Sequence, residues 1–210
     1  MVKYELSKET IQFKGKTLYR IRALKDFSDV KAGDLGGYVE SKYNLSQKYN
    51  CWIYNSAKVY DKAEVYGNAR VYENAQVYNT ALVYDNAKVY NYAQVYGHAK
   101  IYDDALVYGN TEVYGFARVF NNAQVYDNAK VYEFTQVYDN ALVYGNARVY
   151  ENAWIYGNAK IYDYAKVHGN AEIYSAKINK GDFKSGRITK DLTTTNESTS
   201  LRSLLSKLNG

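Results

Sequence analysis

From Cys51 to Ala176 the chain repeats one six-residue pattern, Ala-x-Val-Tyr-x-Asn, through twenty-one hexapeptides without an inserted or deleted residue. The first column of the repeat, Cys51 to Ala171, is Ala at eighteen positions and departs from it only at Cys51, Thr111 and Thr135. The third column, Ile53 to Ile173, is Val or Ile throughout. Between them the second column carries Trp52, Lys58, Glu64, Arg70, Gln76, Leu82 and Lys88 in its first seven repeats, a mixture dominated by charge and amide. Such alternation is that of an extended strand, with columns one and three inward and column two outward. Column four shares the parity of column two, so its nineteen tyrosines, with Phe120 and His168, are expected on the outside.

Columns five and six read as corners. Pairs such as Gly67-Asn68, Asp85-Asn86 and Gly145-Asn146 supply residues that tolerate the positive φ of a tight turn. A hairpin array would alternate the environment of successive Val residues, whereas a parallel coil turning the same way every six residues keeps every Val inside. Three sides close a triangle, giving eighteen residues per coil and about seven coils, a prism roughly 30 to 35 Å long at the usual strand spacing. The chain is therefore expected to be all-β, with a solenoid over 51–176 between an N-terminal capping region, 1–50, and a C-terminal extension, 177–210.

The run Val65-Tyr-Gly-Asn-Ala-Arg70, repeated from Val143, resembles the hexapeptide motif of left-handed parallel β-helices, although Tyr stands where members of that group commonly place a small residue or Asn. Ahead of the repeat, the segment from Ala23 to Val39, Asn44-Leu-Ser-Gln47 and Cys51-Trp-Ile-Tyr54 resemble the amino-terminal region of the YdcK-like bacterial proteins. The resemblance implies a left-handed β-helix and a lineage named for transferases. Similar segments occur in phage-associated proteins, which implies a phage-associated module acting on a host protein.

An open coil end leaves a row of unpaired N–H and C=O groups that would recruit further chains, so both ends need covers. Residues 10–24 read as a hairpin about Lys14-Gly15-Lys16, and Gly33-Asp-Leu-Gly-Gly37 as a tight turn leading into Tyr38-Val39. Residues 193–200 read as a linker. Leu201, Leu204, Leu205 and Leu208 fall at helical spacing, predicting a short amphipathic helix that caps the last coil or joins subunits.

Composition narrows the function classes. Cys51 is the only cysteine and stands in an inward column, where a buried, inert thiol is expected and no internal disulfide can form. The start, Met1-Val-Lys-Tyr-Glu-Leu-Ser, has no apolar signal core and no apolar run approaches a membrane span, so the expected compartment is the cytoplasm. The net charge of +5 divides into +4 over 1–50, −3 over 51–176 and +4 over 177–210. A nucleic-acid binder would carry its basic stripe along the solenoid, so nucleic acid is not the expected partner.

Catalytic residue types are scarce. Hexapeptide-repeat acyltransferases, which the fold resembles, are typically trimers that bind coenzyme A between prisms and use a His as base; the candidates here are His98 in a corner column and His168 in column four. Neither sits in an inserted loop, and the unbroken register leaves no room for one within the repeat. Asp103-Asp104 reads as a solvated corner pair, and no metal site is expected. Tyrosines eighteen residues apart form three columns, explained by ring stacking alone or by a binding surface. In column six, Asn gives way to His98, Phe116 and Phe134 at successive coils of one edge, flanked by Tyr96, Tyr114 and Tyr132, and to Tyr92 and Tyr164 on another. Tyr96, His98, Tyr114, Phe116, Tyr132 and Phe134 form the expected binding surface. The expected function is a non-catalytic scaffold or protein-binding module without cofactor, meeting a protein partner or its own copies as a dimer or trimer. The alternative is a coenzyme A-dependent acyltransferase using acetyl-CoA.

Overall fold

A computed structural model describes residues 2–193, and in these the chain is a three-sided parallel β-solenoid built wholly from strands and turns. The helix expected over 201–208 and the linker from 194 lie outside the described residues. Each side of a coil contributes a short strand whose second residue is the Val or Ile of column three. Strands eighteen residues apart pair in register, so Lys88 and Val89 meet Leu106 and Val107. The first face stacks eight strands, from Trp52–Ile53 to Lys177–Ile178. The second runs from Leu35–Val39 through Lys58–Val59 to Arg148–Val149, and the third from Glu64–Val65 to Trp154–Tyr156. At the C-terminal end, Lys166–Tyr174 and Asp182–Ile188 each run around a corner and join these two faces.

The column reading holds for the core. All twenty-one residues of column three and all twenty-one of column one have no solvent exposure. The two threonines among the alanines are satisfied locally, because Thr111 and Thr135 donate their hydroxyls to the carbonyls of Tyr108 and Tyr132 at 2.7 and 2.8 Å. Trp52 departs from the outward rule of column two. It is buried because the N-terminal region covers it, with the rings of Tyr4 and Phe27 edge-on at 6.1 and 5.4 Å.

Column five fixes the turns. Every one of its residues, from Asn55 to Ser175, has positive φ, between 52° and 78°. Asp and Asn do more there than tolerate the left-handed region. Asp61 accepts the backbone N–H of Asn79 at 3.0 Å, Asp103 that of Asn121 at 3.1 Å, and Asp139 that of Gly157 at 3.0 Å. Each corner thus caps the one above it. Column six adds a side-chain ladder, with Asn68 donating to Asn86 and Asn86 to Asp104, both at 3.1 Å. The Asp103-Asp104 pair is therefore engaged in corner bonding.

Column four also stacks. From Tyr72 to Tyr162 on the first face, from Tyr60 to His168 on the second and from Tyr66 to Tyr156 on the third, ring centroids are 4.7 to 5.1 Å apart and planes lie within 7°. At that separation parallel rings are slipped over one another, the favourable arrangement for like quadrupoles.

The N-terminal hairpin joins β1 (Tyr4–Phe13) to β2 (Lys16–Ala23), with Lys14 and Gly15 both at positive φ in the turn. The expected turn at 33–37 is shorter than its glycines suggest: β3 (Leu35–Val39) already includes Gly36 and Gly37. Those two are glycine for space, since a Cβ would stand 2.6 Å from Ile53 O at Gly36 and 2.6 Å from Ala57 O at Gly37. β3 pairs antiparallel with β2 on one edge and parallel with Lys58–Val59 on the other, which converts a coil edge into a hairpin edge.

Corner strain and core filling should be separable by mutation. Glu133 holds a φ of 61°, so Glu133→Gly should raise stability by about 1 kcal/mol. Val131→Ala, two residues earlier in the core, should lower it by roughly 2 kcal/mol. Urea unfolding followed by circular dichroism reads both.

Candidate functional site

Three corners run the length of the prism, and the one between the second and third faces carries aromatic residues where the other two mostly carry Asn. In chain order its outer column reads Lys62, Thr80, His98, Phe116, Phe134, Asn152 and Asn170. The stacking expected from the spacing is present. His98 lies on Phe116 with centroids 4.7 Å apart and planes 14° from parallel, and Phe116 on Phe134 at 5.0 Å and 3°. Beside them Tyr96, Tyr114 and Tyr132 stack at 4.8 Å along the second face. The six residues singled out by sequence therefore form one continuous double row.

The two rows differ in exposure. The tyrosines are half-buried, whereas Phe116 and Phe134 are 49% and 59% exposed. An Asn at those positions would give amide ladder bonds and keep the surface polar, so the phenylalanines place apolar area in water at a corner that does not need it. On the other side of the strip lie Lys100, Arg118, Gln136 and Trp154, outward residues of the third face, which with His98, Phe116, Phe134 and Asn152 line a shallow groove. Trp154 is itself 41% exposed, and neither Lys100 nor Arg118 has an ion-pair partner among the described residues. Sequence reasoning missed this cationic bank. Its signal was present in column two, where Lys100 and Arg118 occupy successive coils of one face.

The two histidines sit in different settings. Thr80 gives its one hydroxyl proton to the Gly97 carbonyl at 2.8 Å, so the 2.7 Å contact between Thr80 Oγ1 and His98 Nδ1 is donated by the ring, leaving Nε2 as the acceptor. His168, in the last hexapeptide coil, lies flat on Tyr150 at 4.7 Å. Its Nε2 is 2.5 Å from Asp182 Oδ1, and its buried Nδ1 makes no hydrogen bond, with Glu151 Oε1 at 3.6 Å. A ring with one nitrogen covered by a carboxylate and the other buried offers no lone pair to a substrate. Its partner Asp182 belongs to the final rung, so His168 ties the last regular coil to the C-terminal turn.

Comparison with known proteins agrees with the fold. Residues 63–79, 136–151 and 143–157 match the YdcK beta solenoid repeat. Over 63 residues the chain is 41% identical to the Uncharacterized acetyltransferase YdcK of Escherichia coli (strain K12), an alignment covering 26% of this chain and 19% of that protein. The match thus spans about a fifth of the relative's length. No helix among the described residues is long and apolar enough to cross a membrane.

The electrostatics of the tyrosine rows give a test of the packing. Burial is the main cause raising the tyrosine pKa values along the stacks, to about 12 at Tyr84, Tyr90, Tyr126 and Tyr132 from an ordinary 10.0. The folded pKa lies above the unfolded one, so the stability linked to these phenols is complete below pH ~10 and is lost as pH rises towards ~12. Absorbance titration at alkaline pH should show the larger part of the tyrosinate signal appearing near pH 12 together with loss of β-sheet circular dichroism, and complete ionisation of the tyrosines near pH 10 with the fold intact would contradict the stacking.

Proposed function

The chain is a YdcK-like β-solenoid protein, and on that premise we propose that it is a non-catalytic scaffold that docks a protein partner along the aromatic corner at His98, Phe116 and Phe134. The observation that carries the reading is the exposed stack of His98, Phe116 and Phe134, on three successive coils of a column that elsewhere favours Asn. The unpaired Lys100 and Arg118 beside it suit a partner surface that combines apolar side chains with carboxylates, since opposite charges placed around an apolar centre set register and on-rate. A host protein met by a phage-associated module would fit this chemistry, and so would a second copy of the chain.

A second reading, coenzyme A-dependent acyl transfer, is favoured by the name of the E. coli relative. In this chain it would rest on His98, whose Nε2 is left as an acceptor, with Lys100 and Arg118 available to the cofactor's phosphates.

The double variant Phe116→Asn, Phe134→Asn installs the residue most frequent in column six and should fold as the parent does. Retention of proteins on immobilised chain, with molar mass by light scattering to detect self-association, should show a partner held by the parent and by Tyr164→Asn on another corner, and lost by the double variant. Unchanged retention and unchanged mass would reject the docking corner. Calorimetric titration with acetyl-CoA addresses the second reading: binding in the micromolar range would support it, and absence of heat would leave the scaffold.

A further inference from the structure

The N-terminal end of the prism holds a buried amine–thiol pair remote from the aromatic corner. Cys51 opens the first hexapeptide, fills an inward position held elsewhere by Ala, and has no solvent exposure. Lys3, the residue before β1, is 1% exposed and lies against it. Its Nζ is 3.2 Å from Cys51 Sγ, donates to the Cys51 carbonyl at 2.8 Å and to that of Tyr49 at 3.4 Å, and stands 5.1 Å from the centre of the Phe27 ring. No carboxylate ion-pairs with this amine among the described residues.

That setting is unfavourable for an ammonium, because a buried charge without a counter-charge loses its hydration and gains little in return. Burial pushes the Lys3 pKa down and the Cys51 pKa up, and both directions favour a neutral amine beside a neutral thiol. Around the sulfur the remaining contacts are backbone carbonyls, Ser46 at 3.5 Å and Lys48 at 3.6 Å. The amine nitrogen is thus the nucleophile held against the sulfur, on a segment otherwise fixed to the solenoid by Gln47, whose side chain accepts from Lys3 N at 2.8 Å and donates to Tyr4 O at 3.1 Å.

We propose that Lys3 and Cys51 form an oxidation-dependent covalent staple, in which a peroxide converts the thiol and the amine into a direct bond between Sγ and Nζ. The neutral amine takes the thiol proton and the thiolate sulfur attacks hydrogen peroxide; the O–O bond breaks, and the released hydroxide recovers that proton from nitrogen and leaves as one water, so that the thiol has become a sulfenic acid, sulfur losing the two electrons that the peroxide gains. The Nζ lone pair then attacks sulfur and the S–O bond breaks. The departing hydroxide takes a proton from nitrogen and leaves as the second water. Thiol, amine and one peroxide give the sulfenamide and two waters, and a reducing thiol reverses the step by attacking sulfur. The bond joins residue 3 to residue 51 and fastens the N-terminal hairpin to the first coil.

The test is mass spectrometry of the chain before and after a few equivalents of hydrogen peroxide near neutral pH. The proposal expects a digest fragment linking the Lys3 and Cys51 segments, lighter than their sum by about 2 Da, and its disappearance with dithiothreitol. Cys51→Ala, which installs the column's usual residue, and Lys3→Met, which keeps an unbranched stem but removes the amine, should give no linked fragment. The oxidised parent should also unfold at a higher temperature than the reduced one, a gain absent from both variants. A Cys51 thiol still free after treatment, or sulfur oxidised without a linked fragment, would overturn the proposal. A linked fragment about 14 Da heavier than the sum would overturn the direct bond in favour of an oxygen-bridged one.

Discussion

One backbone constraint governs this molecule: at every sixth residue the chain must enter the left-handed region of φ so that a strand can turn through a corner and begin the next side. Column five meets it at all twenty-one positions, with Gly, Asp and Asn at most of them and Glu or Ser at the rest. Gly meets it without a Cβ, and Asp and Asn meet it while returning a hydrogen bond to the N–H of the next coil. Because that bond crosses coils eighteen residues apart, a corner supports its neighbour as well as itself. Once the corners are fixed, the inward direction of columns one and three follows, and the core becomes a column of Ala and Val with no exposure.

The same constraint decides where variation is possible. Columns one, three and five are held by packing or by φ, and column four by stacking. Column six faces outward at the corner and is set neither by φ nor by core packing, so it is the column freest to depart from Asn. The change to His98, Phe116 and Phe134 on one edge therefore stands apart from the substitutions elsewhere. Its neighbours in column two add charge without asking anything of the backbone.

Much of this was legible in the sequence because period-2 alternation within a period of six leaves one arrangement that keeps all the valines inside. The stacks at column four and the continuity of His98, Phe116 and Phe134 followed from register alone. The ends were harder to read, since their coils lack the hexapeptide. Leu35–Val39 joins the stack with an offset of twenty residues from Lys58–Val59, and Lys177–Ile178 pairs with Lys160–Ile161 at an offset of seventeen. Trp52 was misplaced because its neighbours in space, Tyr4 and Phe27, belong to the cap and have no fixed spacing from the repeat. Lys3 beside Cys51 was invisible for the same reason, and the groove beside the aromatic corner required two columns of adjoining sides to be superposed.

The result is a rigid prism whose interior and corners are committed to the fold and whose distinctive chemistry lies in one exposed strip. Hydroxyl-radical footprinting of the chain alone and with a protein retained on the immobilised chain measures that strip directly. The account predicts that Phe116 and Phe134 are labelled in the free chain and protected in the complex, while Tyr92 and Tyr164 on the neighbouring corner keep their labelling. Equal labelling of Phe116 and Phe134 in both states would contradict it.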